Sequence, residues 1–187
     1  RFITSPAPRK AFILRGYAGT GKTSIMAALV QSLKQLNQHF VLLAPTGRAA
    51  KVLSRYAGYP AYTIHKFIYR QKQLGEEVFT LNDNLHKHTL FIIDEASMIS
   101  GVREAHGFGS GMLLDDLVKY VYSGEECSLL TLGDDAQLPP VGSIVSPALQ
   151  TDYMLGYQLD ITSHTLTQVA RQALDSGILH NATKLRE

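Results

Sequence analysis

Cysteine is almost absent from this chain: Cys127 is the single one in 187 residues. No internal disulfide can form, and that usage fits a reducing compartment. Long hydrophobic runs are missing too. None approaches the roughly 18 to 20 apolar residues of a membrane span, and no leader peptide pattern opens the sequence. A cytoplasmic setting without a membrane partner is therefore expected. Charge of one sign is not in excess either, with 18 Lys and Arg against 16 Asp and Glu, a formal net charge of +2. That balance neither demands nor excludes a nucleic acid, because a basic groove can sit on a near-neutral protein. Internal repeats and low-complexity tracts are lacking, which argues against solenoids and disordered linkers. The first residue is Arg1 rather than Met, so a fragment of something longer is expected.

What is present is an ordinary globular mixture, 45% apolar and 18% charged. The length suits one domain, which buries roughly 70% of its unfolded surface. Short apolar runs at residues 11–14, 40–44, 90–93 and 129–132 lack polar alternation. Strands covered on both faces, as in a parallel sheet, read this way. Helical patterns fall between them at 24–36, at 48–56 before Gly58, and at 112–122 before Gly124. In the last of these Leu113, Leu114, Leu117, Val118 and Val121 share one face. Alternating strands and helices predict a doubly wound α/β domain. Two segments interrupt the alternation. Residues 67–85 read as an inserted hairpin turning near Gly75, and 101–111, with four glycines, as a mobile surface loop.

Three stretches carry chemistry. GYAGTGKT, residues 16–23, fits G-x-x-x-x-G-K-[ST] through Gly16, Gly21, Lys22 and Thr23, with Gly19, Thr20 and Ser24 completing the nucleotide-binding set. Consecutive backbone N–H groups turn toward one anion only at φ/ψ values that glycine reaches without strain. The following helix aims its positive end at the same point. Lys22 is expected on the β- and γ-phosphates of ATP and the Thr23 hydroxyl on Mg²⁺. LFIIDEAS, residues 90–97, ends an apolar strand on two acids. Asp94 is placed toward the metal and Glu95 as general base for the attacking water. LTLGDDAQLPPVG, residues 130–142, ends another strand and carries Gln137 ahead of a rigid Pro139-Pro140 pair. An amide there can accept from water and donate to a γ-phosphate oxygen.

In these stretches the sequence resembles superfamily 1 DNA helicases of the RecD/Dda type. GYAGTGKT resembles helicase motif I, FIIDEASMIS motif II, LGDDAQLPPVG motif III, LLAPTGRAAKVL (42–53) motif Ia, TIHKFI (63–68) motif Ib and LTQVARQ (166–172) the arginine-bearing motif IV. The resemblance implies the first RecA-like motor domain of a P-loop NTPase: a mostly parallel sheet flanked by helices, with 67–85 as a small inserted β-hairpin of the duplex-splitting 1B kind. It implies Mg²⁺-dependent ATP hydrolysis driving 5′ to 3′ movement on single-stranded DNA. Pro45, Thr46, Arg48, Thr63 and His65 become DNA contacts, and Arg171 a γ-phosphate contact. Partner nuclease or helicase subunits of an exonuclease V-type repair and recombination complex belong to the same picture.

The sequence also departs from the family. No glutamine-bearing motif precedes the first strand, and a second RecA-like domain is absent from the 187 residues. The isolated chain is accordingly expected to bind nucleotide weakly, hydrolyse it poorly and unwind nothing. Two alternatives stand beside the helicase reading: the helicase domain of a conjugative relaxase, and a non-catalytic DNA-binding module. The second of these predicts loss of Lys22, Glu95 or Gln137, and all three are present.

Overall fold

The computed structural model describes residues 2, 8–71, 79–103, 108–140 and 142–168. Six strands form one sheet in which every pairing is parallel: β1 (Lys10–Gly16), β2 (His39–Ala44), β3 (Ala61–Thr63), β6 (Thr89–Ile93), β7 (Ser128–Gly133) and β8 (Asp160–Leu166). Their order across the sheet is β3-β2-β6-β7-β1-β8. The helices are α1 (Lys22–Gln35), α2 (Gly47–Ala57), α3 (Ile64–Ile68), α4 (Leu113–Ser123) and α5 (Thr151–Leu155). The four apolar runs read from sequence are the four central strands, and the three expected helices match α1, α2 and α4 to within two residues.

The side-chain alternation of each strand feeds two cores. Phe40, Leu42 and Ala44 of β2 join Leu14, Leu90, Ile92, Leu130 and Leu132 under Met26, Val30 and Leu33 of α1 and Leu53 of α2. Val41 and Leu43 face the other way, with Ile13, Phe91, Ile93 and Leu129, under Leu114, Leu117 and Val121 of α4. Each fully buried Leu or Ile contributes roughly 1.5 to 3 kcal/mol, so the two layers clamp the sheet from both sides. All six strands run the same way, so their C-terminal ends share one rim, where ligands of open α/β sheets bind.

The inserted hairpin is shorter than the 67–85 span. Phe67 and Ile68 end α3, and the antiparallel pair is β4 (Tyr69–Gln71) with β5 (Phe79–Leu81). Thr63 caps α3 by accepting a hydrogen bond from Lys66 N, 3.3 Å, so the segment starts helical rather than extended. The return through Val78 lies outside the described residues. The aromatics of the segment pack inward. Phe67 stacks on His86 and meets Phe91 and Tyr120 edge-on, and Tyr69 is buried. The glycine-rich 101–111 stretch is likewise no free surface loop at its described ends. Gly109 N donates to Phe79 O at 3.0 Å and Ser110 N to the buried Asp116 carboxylate at 2.8 Å.

Candidate active site

The rim carries the three chemical stretches on adjacent strands. β1 ends at Gly16, β6 at Ile93 beside Asp94, and β7, which lies between them, at Gly133 beside Asp134. The phosphate-loop backbone needs its glycines: Gly19 has φ 84° and Gly21, the N-cap of α1, φ 90°, both in the left-handed region open to glycine. Gly16 is required for another reason. A Cβ there would lie 2.6 Å from Thr20 Oγ1 and 3.0 Å from Leu166 Cβ. Thr20 is buried and its hydroxyl donates to Tyr17 O at 2.8 Å, which ties the loop across itself.

Lys22 is held inside that loop, its Nζ donating to the carbonyl oxygens of Gly16 and Tyr17. Burial pulls its pKa below the ordinary lysine value, and the carboxylates of Asp134, Glu95, Asp94 and Asp135 pull it back up. Motifs I, II and III thus lie within electrostatic reach of one ammonium. Asp94 is fixed by its N–H, which donates to Leu43 O at 3.0 Å, and its Oδ1 accepts from Glu95 N at 3.0 Å. Desolvation holds its carboxyl above the usual range, the hydrogen bond from Glu95 N opposes this, Glu95's charge adds to it, and Lys22's opposes it. Glu95 occupies the left-handed region at φ 53°, uncommon for a residue with a side chain. Gln137 is exposed, and its Oε1 accepts from the buried Ser97 hydroxyl at 3.2 Å. Thr23 and Ser24 open α1, Thr23 half-buried and Ser24 exposed.

A family profile described as an AAA domain matches residues 3–187. The chain belongs to the AAA-domain family. The chain is 30% identical over 177 residues to the ATP-dependent RecD2 DNA helicase of Deinococcus radiodurans, covering 94% of this chain and 22% of that protein. It is 29% identical over 182 residues to the ATP-dependent DNA helicase dda of Enterobacteria phage T4, covering 92% of this chain and 37% of that protein. The chain therefore spans well under half the length of both relatives. The crystal structure of Pif1 helicase from Candida albicans superposes with a TM-score of 0.59 at 23% identity, covering 96% of this chain and 41% of that one. The RecD/Dda-type resemblance read from the motifs holds, and with it the α/β RecA-like fold.

The DNA-contact candidates sit on the same rim, one strand further out. β2 and β3 pair so that Ala44 lies opposite Thr63, which brings the AAA domain's Pro45-Thr46 turn beside the start of α3. Thr46 caps α2, its Oγ1 accepting from Ala49 N at 3.2 Å. Arg48 is exposed. His65 is half-buried, its ring 5.8 Å from Tyr69 and 5.2 Å from Phe108, so much of it packs. Arg171 lies outside the described residues. Sequence reasoning passed over Lys66 and Tyr62, which line a cleft with Gly47, Lys51, Ser54 and Thr63. It also passed over Ser97 and Asp134. Both stood inside quoted motifs, but no spacing rule says that a buried serine meets a glutamine 40 residues on.

Proposed function

We propose that this chain is the nucleotide-binding motor domain of an ATP-dependent DNA helicase, coupling Mg²⁺-ATP hydrolysis to 5′ to 3′ translocation on single-stranded DNA. The observation that carries the reading is the phosphate loop itself, with Gly19 and Gly21 in the left-handed region and Lys22 held inside it at a helix N-terminus, on the rim where β6 and β7 end beside Asp94 and Asp134. In the reaction a water oxygen bonds to the γ-phosphorus, the bond to the bridging oxygen breaks, and ADP leaves with that electron pair. Lys22 exchanges its loop carbonyls for phosphate oxygens. Glu95 takes the water proton. Gln137, whose Oε1 accepts from Ser97, is assigned the amide that reports whether the γ-phosphoryl is present.

The residues fit a Mg²⁺ ion. Among those described, no three His, Cys, Asp or Glu side chains gather as a self-sufficient metal cage, and Mg²⁺ in such sites takes one or two protein ligands and completes its shell with phosphate and water. Thr23 and Asp94 would hold it, and when bound it neutralises charge building on the phosphate oxygens. Arg171 follows Leu166 by five residues, and Leu166 pairs with Gly16. A γ-phosphate contact by Arg171 rests on the motif IV resemblance alone.

Pro45, Thr46, Arg48, Thr63 and His65, with Lys51 and Lys66 in the neighbouring cleft, form a track for the DNA backbone, where charge supplies affinity. The β4–β5 pair is read as the base of a 1B-type hairpin. Polarity, and membership of an exonuclease V-type repair and recombination complex, rest on the RecD/Dda resemblance. The test is ATP turnover by the full-length protein with and without single-stranded DNA. DNA should stimulate turnover, and Lys22→Ala should abolish it. A Lys22→Ala variant that still turns over ATP, or DNA binding with no turnover in the parent, overturns the reading, the latter in favour of a non-catalytic module.

A further inference from the structure

The segment leaving motif II does not simply return to α4. After the 3-10 turn Ala96–Met98, Ser100 O accepts from Leu114 N at 3.3 Å. Further on, Phe108 drives its ring into the base of the hairpin. It lies 4.3 Å from the Phe79 ring of β5 and 5.6 Å, stacked, from Tyr69 of β4, with His65 edge-on at 5.2 Å. The backbone follows the ring, as Gly109 N donates to Phe79 O at 3.0 Å.

A buried carboxylate closes the joint. Asp116 Oδ2 accepts from Tyr69 OH at 2.7 Å and from Ser110 N at 2.8 Å. One oxygen, only 5% of its residue exposed, therefore binds the hairpin and the motif II segment at once, from a position on α4. A hydrogen bond in a dry setting is stronger than one open to water. Nothing can be inserted at the contact. A Cβ on Gly109, which sits at φ 59°, would fall 2.2 Å from that same Asp116 oxygen and 2.5 Å from Tyr69 Cε1. At the other end of the segment, Ser97 holds Gln137. Between the two ends, α4 is the link: its Leu114 N donates to Ser100 O and its Asp116 holds Tyr69 and Ser110, a connection of packed elements of the kind that carries coupling between sites.

We propose that Phe108, Tyr69 and Asp116 are positioning residues that join the β4–β5 hairpin to the motif II segment, so that nucleotide state at the phosphate loop sets the hairpin's position against DNA. The inference rests on the nucleotide-binding reading above. It also accounts for the ends of the glycine-rich stretch, whose glycines let the chain pass close enough for Phe108 to insert.

The experiment uses the full-length protein, its Phe108→Ala variant and the milder Tyr69→Phe variant, which removes only the hydroxyl donated to Asp116. Amide hydrogen exchange is followed with and without a non-hydrolysable ATP analogue. In the parent, the analogue should slow exchange in residues 16–23 and also in 69–71 and 79–81. In both variants the phosphate-loop response should persist while the hairpin response is lost. In parallel, DNA-stimulated ATP turnover should stay close to that of the parent, while base pairs separated per ATP fall about tenfold, the size of a typical coupling between sites. A hairpin response that survives in both variants overturns the proposal, as does a parent whose phosphate loop responds while its hairpin does not. A parent with no phosphate-loop response overturns the nucleotide-binding reading itself, and the joint falls with it.

Discussion

Glu95 holds a backbone conformation that its own side chain disfavours, φ 53° and ψ 38°, and such strain collects where geometry serves function. Its strained backbone and its proposed part as proton acceptor separate by mutation. Glu95→Gln keeps the strain and loses the carboxylate, so ATP turnover should fall by about two to four orders of magnitude with the melting temperature unchanged. Glu95→Gly should lose turnover as well, but melt at the same temperature or higher, because relief of a left-handed residue is worth roughly 1 to 2 kcal/mol. Kinetics and thermal melts on the same preparations check both. Asp94 offers a test in pH. Desolvation raises its pKa in the folded protein, so ionising it costs stability once pH passes the ordinary carboxylate value. Below that value the side chain is protonated in folded and unfolded protein alike, and the cost vanishes. Asp94→Asn, measured without nucleotide or Mg²⁺, should therefore melt higher than the parent at neutral pH and lose that advantage in acid. An advantage that persists in acid would contradict the assignment.

Among the elements, helix starts do two jobs. Thr46 and Thr63 each cap a helix with their hydroxyls and each stand on the proposed DNA track. Thr46→Ala should cost about 1 kcal/mol, a drop of about 2 to 4 °C in a domain of this size, and Thr46→Ser should restore it. Differential scanning calorimetry reads both. The elements that sequence revealed were those with strong internal pattern: strands buried on two faces, and helices with one apolar stripe and a glycine stop. β3 and α3 escaped because three and five residues are too few for any periodicity to emerge. β8 escaped because it is an edge strand. Asp160, Thr162, Ser163, His164 and Thr165 are exposed, and seven residue pairings with β1 hold it rather than its own composition. The turn of the phosphate loop was legible in its glycines, since the backbone there demands both residue type and spacing. The Phe108 joint was not, because partners 29 and 39 residues away in sequence meet only through tertiary packing.

At the scale of the whole molecule, one sheet clamped between two cores presents its chemistry on a single open rim. Where closure over a site completes it, an open rim binds and reacts slowly. On the proposed reading, the 187-residue chain alone should accordingly bind ATP weakly, turn it over slowly and leave duplex DNA intact. Strand separation by the isolated chain would contradict this. Among the described residues no helix is long and apolar enough to cross a membrane, and the exposed edges of the sheet are short or polar.

Cys127, the chain's one thiol, is buried at the start of β7, and desolvation pushes its pKa up. It will react sluggishly with maleimides. The exposed α1–β2 turn at Asn37 and Gln38 lies on the opposite rim from Gly16. A cysteine placed at Gln38 would take a fluorophore selectively over Cys127, on the rim away from the phosphate loop, which makes this face a natural handle for tethering or imaging the protein.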